Sequence, residues 1–293
     1  MVFQETRLGE QEREFFVRLI AEYLKYGSVD KVFKVHNYDL PISYPSFQRL
    51  IDRWGIIKAA GPNSILSEAL GFLVLLSDRK LPVETLYRHL PPSFKTSLGT
   101  VHRILHNIKE GAIRRVGTAL VMVSSDSPNM VLIGEDIAPP RLELGKPYGS
   151  LSLPMSFSKK DEKPEVSILR VLQHEVFTKD AIEKKTPNVI PQNPAPFMYL
   201  DIADVRVAVY QIELPHRLSQ NQAFSSFKLI NHRYMHLTQL INQSEELNFR
   251  AGIREIAVGY QSFLEDKSFA PIFEKSRLNL TIRGLATVPV LEK

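Results

Sequence analysis

Residues 153–176, LPMSFSKKDEKPEVSILRVLQHEV, hold the most informative pattern in the chain. Glu162 and Glu175 lie 13 residues apart, and Arg170 lies between them in a segment with helical apolar spacing. Pro164 suits a first helical position, where its missing N–H has no helical partner to lose. The stretch therefore predicts a loop followed by a helix.

The bulk composition is that of a globular protein. The chain has 293 residues, 44% of them hydrophobic and 24% charged, which suggests two domains. The absence of cysteine excludes a disulfide framework and a thiolate zinc site. No apolar run approaches the roughly 18 residues of a transmembrane helix, and the N-terminus lacks the layout of a signal peptide. We expect a cytoplasmic protein without a membrane partner.

The positive charge is unevenly placed. Residues 1–115 contain 17 Lys and Arg against 12 Asp and Glu, whereas the rest of the chain contains 20 of each. The whole excess of five positive charges therefore lies in the N-terminal part. A basic segment of this kind favours the docking of a polyanion.

The N-terminal part contains an internal repeat, with copies at about residues 10–57 and 64–111. VDKVF at 29–33 aligns with VETLY at 83–87, and Ser43 and Arg49 align with Ser97 and Arg103. Each copy predicts three helices, at 12–25, 29–35 and 44–54 in the first copy and 65–75, 82–89 and 98–109 in the second. The third helix has apolar residues at 47, 50, 51 and 54, a spacing typical of a helix packed on one face.

This layout resembles the tandem helix-turn-helix domains of bacterial regulators and transposon proteins. In such domains the last helix enters the major groove and its early residues contact base edges. A plain helical bundle with solvated polar faces is the alternative. The DNA-contacting candidates on the open faces of the third helices are Tyr44, Ser46, Gln48, Arg49 and Arg53 in the first copy and Thr100, His102, Arg103, His106 and Lys109 in the second.

The pattern changes after residue 113. Two β-branched runs at 116–123 and 129–135 predict a hairpin, and the segment from Pro164 predicts a helix with Val166, Leu169, Leu172 and Val176 on its apolar face. A long strand is expected over 197–214, helices around 231–242 and 249–264, and a short strand over 278–284. Sheet, inserted helix, sheet and helix together predict an α/β sandwich.

Residues 113–265 resemble the Nudix fold, and residues 156–178 can be compared with its box, G-x5-E-x7-R-E-U-x-E-E-x-G-U. Glu162, Arg170, Leu172 and Glu175 match the box. Ser156, Val171, His174 and Phe177 replace its first glycine, two of its glutamates and its closing glycine. The resemblance implies that the box carboxylates would bind Mg²⁺ on a diphosphate, and two of the three on the helix are missing. It also implies that Arg170 pairs with Glu162 and holds the loop on the helix.

We therefore expect an α+β multidomain protein, with an all-α tandem helix-turn-helix region over residues 1–112 and a Nudix-like α/β/α sandwich over residues 113–293. Its predicted function is that of a DNA-binding transcriptional regulator whose Nudix-like domain has lost catalysis and binds a nucleotide-like ligand or a partner. The predicted partner is double-stranded DNA, with RNA and a homodimer left open, and no cofactor is expected.

Two alternatives remain open. The first is a divergent Nudix hydrolase of a nucleoside diphosphate derivative, which would use Glu162, Arg170 and Glu175 with Mg or Mn. A rebuilt metal site would then consist of Glu175, His174 and Glu213. The second is a nucleic-acid-binding scaffold. His232 and His236 have the spacing of one helical face but lack the glutamate of a catalytic H-E-x-x-H motif, so we expect solvated or capping roles for them.

Overall fold

The computed structural model of the chain describes residues 9–60, 97, 99, 115–141, 144–266 and 270–278. These residues form an N-terminal helical unit and a C-terminal part built on an eight-stranded sheet. Within these ranges no helix combines the length and the apolarity that crossing a bilayer demands.

The helical unit consists of α1 (Glu10–Tyr26), α2 (Val29–Val35) and α3 (Tyr44–Trp54). The Ser28 and Ser43 side chains cap α2 and α3 by accepting backbone N–H bonds, which satisfies donors that have no helical partner. The predicted bounds of α2 and α3 are confirmed, and α1 is slightly longer than expected. The predicted apolar stripe of α3 is buried: Phe47, Leu50, Ile51 and Trp54.

The second copy of the repeat, at 64–111, lies outside the described residues apart from Ser97 and Gly99. The tandem arrangement thus remains a prediction. The DNA-contacting candidates Thr100, His102, Arg103, His106 and Lys109 lie outside the described residues as well.

The sheet has the order β3-β2-β1-β6-β5-β8, with β4 paired to β1 and β7 paired to β2. Its pairs are antiparallel except β1 with β6 and β5 with β8, which are parallel. The predicted hairpin is confirmed as β1 with β2. The strands are β1 (Arg115–Ser124), β2 (Ser127–Asp136), β3 (Ser150–Ser152), β4 (Met155–Ser158), β5 (Met198–Ile202), β6 (Val205–Leu214), β7 (Leu229–His236) and β8 (Ile272–Lys275).

Helices cover both faces of the sheet. Alternate residues of β1 point to opposite faces, as strand geometry requires. Val121 packs in the core that contains α6 (Leu237–Asn242) and α7 (Ile253–Glu265). Leu120 packs in the core beneath α4 (Pro164–Val171) and the π-helical turn Leu172–Val176. A five-residue helix, α5 (Thr178–Ile182), follows that turn. The sheet is therefore sandwiched, as an α/β/α arrangement predicts.

Several expectations about the C-terminal part are wrong. The long strand over 197–214 is two strands, because the chain turns at Ala203, whose φ is 52°. The segment 231–242 is a helix only from Leu237, since β7 includes both His232 and His236. Of the predicted apolar face, Leu172 and Val176 are buried as expected, but Val166 and Leu169 are only half-buried, and Ile168 and Val171 are buried in their place. Strand β8 was not expected, and residues 279–284 of the predicted tail strand lie outside the described residues.

Candidate ligand-binding site

The loop glutamate and the helix arginine of the box are joined. Arg170 Nη1 donates to Glu162 Oε2 at 2.6 Å, and Nη2 donates to the other carboxylate oxygen. Their side chains are 1% and 8% exposed. Burial alone would raise the pKa of Glu162, but the hydrogen bond from Arg170 lowers it. The predicted pairing is confirmed, and it leaves Glu162 neutralised by Arg170.

The π-helical turn presents Gln173 to the chain segment that follows α3. The Gln173 side chain accepts from the Ile57 N–H at 2.8 Å and donates to the Gly55 carbonyl at 2.9 Å. Arg170 Nε donates to the Lys58 carbonyl at 2.8 Å. These bonds satisfy three backbone groups of residues 55–58, which we call the docking segment. The helical unit is thereby tied to the box helix.

His174, which replaces a box glutamate, bonds the same segment. Its Nε2 donates to the Ile57 carbonyl at 2.9 Å, and its ring meets the Tyr23 ring edge-on, with centroids 6.3 Å apart. Burial, with the nearby Lys228 ammonium, lowers the pKa of His174 to about 3. The imidazole is therefore neutral at physiological pH. It acts as a hydrogen-bond donor between the two parts of the chain.

Glu175 is the buried carboxylate next to this contact. Burial raises its pKa to about 7, against the opposing effect of Lys228. His232 Nε2 donates to the Glu175 backbone carbonyl at 2.9 Å, and burial lowers the pKa of His232. His232 is therefore a positioned strand residue, whereas His236 caps α6 with Gln239, as its predicted capping role requires.

The three residues predicted to form an alternative metal site, His174, Glu175 and Glu213, do not lie together. Glu213 is exposed near the end of β6, six residues beyond the cavity-lining Val207, or about 20 Å at the rise of a strand. His174 Nε2 is committed to Ile57. Among the described residues, no three His, Asp or Glu side chains converge as a metal site would require. These donors do not fit the Mg²⁺ that the Nudix reaction needs.

A cavity of about 1000 Å³ lies where the helical unit meets the box helix and the sheet. Glu175 is the one carboxylate among the described residues that line it. Its walls also include Gly117, Ser156 and Phe157. The cavity is rich in cationic side chains, which are Lys25, Lys31, Arg141, Lys146, Arg170, Lys228 and Arg250.

Two of these cations pair with the same buried acid, Asp136, which lies behind the cavity lining. Lys146 Nζ lies 2.9 Å from one Asp136 carboxylate oxygen, and Arg250 Nη1 lies 3.6 Å from the other. Burial lowers the pKa of both Lys146 and Arg250. Arg250 Nε is buried and has no hydrogen-bond partner among the described residues. Since a buried unpaired donor is costly, this nitrogen suits an acceptor brought by a ligand.

The first-copy DNA candidates all lie on α3. Tyr44, Arg49 and Arg53 are exposed, and Gln48 is half-buried. Ser46 accepts a bond from Arg49 Nη2 at 3.1 Å, which orients that guanidinium along the helix. These side chains share the solvent-facing part of α3, opposite its buried stripe, so their predicted placement on one helix is confirmed.

Sequence reasoning missed most of the cavity residues. Lys146, Lys228 and Arg250 lie on three separate segments that have no shared motif. Gln173 occupies the box position where any residue is allowed, so the family pattern attaches no role to it. A clue in the sequence was the replacement of box acids by His174 and Val171, because such a change alters what the helix can bind.

No family profile matches the chain, and no curated protein matches it. Among solved structures, a Nudix hydrolase from Nitrosomonas europaea has 14% identity over 56% of this chain and 80% of its own, with a TM-score of 0.37. An ADP-ribose pyrophosphatase from Streptococcus suis has 14% identity over 54% and 98%, with a TM-score of 0.35. An Ap4A hydrolase from C. elegans has 12% identity over 52% and 98%, with a TM-score of 0.33.

Structural similarities at such low identity and TM-score give no information about the activity of this chain. The architecture agrees with the Nudix-like expectation: a mixed sheet lies between two helical layers, and Glu162 of the loop before α4 pairs with Arg170 on α4. The C-terminal part is thus Nudix-like in fold.

Proposed function

We propose that the C-terminal part is a receptor that binds a phosphate-bearing, nucleotide-like anion without cleaving it. The observation that carries this proposal is the cavity, whose described lining has seven cationic side chains and one carboxylate. Asp136 and Glu162 pair with three of these cations, and the other four, Lys25, Lys31, Arg141 and Lys228, form no ion pair among the described residues. Cations converging in a partly buried site attract an anion strongly, because their mutual repulsion is relieved when it binds. Guanidinium groups in particular suit phosphate oxygens.

Calorimetric titration of the full chain with ADP and with inorganic diphosphate tests the receptor. Saturable binding that persists in EDTA is expected, together with intact ADP after prolonged incubation with Mg²⁺ or Mn²⁺. Arg250→Gln should weaken binding about tenfold, since it removes a charged donor from the wall. Absence of binding to both probes would refute the receptor function.

A second candidate is the divergent Nudix hydrolase, which one observation favours. Glu175 lines the cavity, and its pKa of about 7 is close to the ideal for a general base at neutral pH. Metal-dependent release of phosphate or a nucleoside monophosphate that disappears in Glu175→Gln would establish this candidate. The same release from both proteins would point to a contaminating enzyme.

We also propose that the helical unit binds double-stranded DNA through α3. The buried stripe leaves Arg49 and Arg53 exposed together, and the N-terminal part holds the excess positive charge. Affinity for duplex DNA should fall steeply with salt, because bound phosphates release counterions. Arg49→Ala should weaken binding, whereas Arg18→Ala, at an exposed arginine of α1, serves as the control. A DNA affinity that changes neither with salt concentration nor in Arg49→Ala would exclude this interface.

A further inference from the structure

The cavity has walls from both parts of the chain. Lys25, Gly27 and Lys31 come from α1, α2 and the turn between them, whereas Lys228 and Arg250 come from segments of the C-terminal part. A Nudix-like domain alone would leave this cavity open on the helical side. The ligand site is therefore a feature of the whole chain.

Lys228 lies where the two walls meet. A side-chain carbon placed on Gly27 would lie 3.8 Å from the Lys228 ammonium nitrogen. Ser226 accepts from the Lys228 N–H at 3.0 Å and donates to the His174 backbone carbonyl at 2.9 Å. The same His174 donates to Ile57 in the docking segment. One chain of hydrogen bonds thus sets both the position of Lys228 and the attachment of the helical unit.

The ammonium groups around this junction form no ion pair within the described residues, and Glu175 is the nearby carboxylate whose pKa the Lys228 charge lowers. Lys25, Lys31 and Lys228 form no ion pair with any described carboxylate, although Lys25 lies 5.4 Å from the centroid of the Tyr26 ring. By contrast, Lys34 on the same α2 pairs with Asp30 at 2.9 Å. Because these positive charges line one side of the cavity, they favour the binding of an anion that contacts all of them.

We propose that Lys25 and Lys31 of the helical unit bind the anionic group of the ligand together with Lys228 and Arg250, so that the ligand bridges the two parts of the chain. This inference rests on the proposed receptor function. Since the ligand contacts both walls, its binding and the docking of the helical unit strengthen each other, and by linkage the effect is reciprocal.

The test uses the full chain and titrates inorganic diphosphate and ADP by calorimetry. Lys25→Gln combined with Lys31→Gln should weaken both probes at least about tenfold, because two charge-assisted contacts are lost. Lys34→Gln is the matched control on the same helix and should bind as the wild type does. Equal weakening by Lys34→Gln would overturn the proposal, since general electrostatics would then explain the loss.

A second readout follows the docking segment without relying on affinity. Hydrogen exchange of the Ile57 and Ala59 amides should slow when ADP is added to the wild type, and this slowing should be absent from the double lysine variant. Gln173→Ala, which removes the bond to Ile57 but does not line the cavity, should speed exchange at Ile57 and weaken ADP binding.

Different results would refute the receptor function and the ligand site shared by the two parts of the chain. Wild-type protein that binds neither probe refutes the receptor function itself. Wild-type binding that is lost in Arg250→Gln but kept in the double lysine variant refutes only the shared site and leaves a receptor confined to the C-terminal part. Loss in both variants, with Lys34→Gln unaffected, supports the shared site.

Discussion

At the scale of single residues, His174 has a role that a carboxylate could not fill. In the Nudix pattern, position 174 would carry a carboxylate aimed at a metal, but here it carries an imidazole that donates to Ile57. A carboxylate at that position would face a carbonyl oxygen and could not donate to it. The imidazole at position 174 therefore suits a surface that binds protein backbone. Gln173 next to it forms hydrogen bonds with two further backbone groups.

The stability of the protein should depend on Glu175 in a pH-dependent way. The pKa of Glu175 rises from 4.5 to about 7 on folding, so below pH 4.5 both states are protonated and the group contributes nothing. Between pH 4.5 and 7 the unfolded chain loses this proton and the folded protein keeps it, so the folded state is progressively destabilised, by about 3 kcal/mol above pH 7.

Glu175→Gln should consequently be more stable than the wild type at pH 8 and equally stable at pH 4, as measured by urea denaturation at both pH values. Glu213→Gln, on an exposed side chain of β6, controls for the loss of one negative charge. A Glu175→Gln variant that is less stable than the wild type at pH 8 would contradict the burial argument.

Arg170 should matter more to folding than to chemistry. Arg170→Met would leave Glu162 buried without its partner and would also lose the bond to the Lys58 carbonyl. Breaking a buried ion pair from one side costs about 3 kcal/mol or more. Denaturant unfolding should show that loss, whereas Arg233→Met, at a half-exposed pair with Glu135, should cost less than about 1 kcal/mol. Similar small losses for both would mean that the Glu162 pair is not buried in solution.

At the scale of elements, the π-helical turn converts the end of the box helix into a docking surface. The wide turn is closed by the Phe177 N–H bonding to the Leu172 carbonyl at 2.7 Å. Residues 172–176 are all buried, and three of them are polar: Gln173, His174 and Glu175. A regular helix would place these three side chains at different angles. Such turns are often found at functional sites, and this one serves the docking segment and the cavity together.

A second element with a functional consequence is the irregular pairing of β2 with β7. The register shifts between Ile133 and Glu135, at Gly134, where an added side-chain carbon would lie 2.7 Å from Leu229 Cγ and 2.9 Å from the Ile230 carbonyl oxygen. The glycine lets β7 approach closely at its first residues, immediately after Lys228. The position of Lys228 at the cavity therefore depends on this close approach.

Gly134→Ala should destabilise the protein by about 2 kcal/mol, because the strands must separate to admit the methyl group. It should also weaken diphosphate binding by displacing Lys228. Gly149→Ala provides a contrast, since no atom of the described residues lies within 4 Å of an added carbon, although its φ of 72° still imposes local strain. Thermal unfolding and calorimetry measure the two effects, and a Gly134→Ala protein with wild-type stability would show that the strands separate without cost.

At the scale of the whole molecule, the two parts of the chain share one interface. Trp54 Nε1 donates to the Ile182 carbonyl at 2.8 Å, and Ala181 belongs to the core of the helical unit. Together with the docking segment, these contacts place α3 on the same body as the cavity. A ligand that favours the docked arrangement would therefore change how α3, the proposed DNA-binding surface, is presented.

Saturating ADP should accordingly change the affinity of the full chain for duplex DNA by at least about fivefold, the lower end of typical coupling between sites. Gln173→Ala should bind DNA in the absence of ADP but respond less to the nucleotide. Fluorescence anisotropy of a labelled duplex, with and without ADP, measures both. An unchanged DNA affinity in the wild type would mean that the two sites are independent.

Local signals in the sequence were sufficient for the parts of the fold that depend on near neighbours. The apolar stripe of α3, the β1–β2 hairpin and the start of α4 at Pro164 follow from spacing over a few residues. The division of residues 197–214 into two strands was missed because the turn at Ala203 carries no glycine or proline. The helix assigned to residues 231–236 failed because its apolar spacing is ambiguous over so short a run.

By itself, then, the sequence determined the helical unit, the Nudix-like order of elements, the pairing of Arg170 with Glu162 and the depletion of acids on the box helix. Only the tertiary structure decided that residues 55–58 dock on those altered positions, and that cations from distant segments line one cavity. The physical reason is the sequence separation of the interacting residues. Periodicity and capping act within a few residues, whereas the bond from His174 to Ile57 spans 117 positions of the chain. No local pattern encodes a contact of that length.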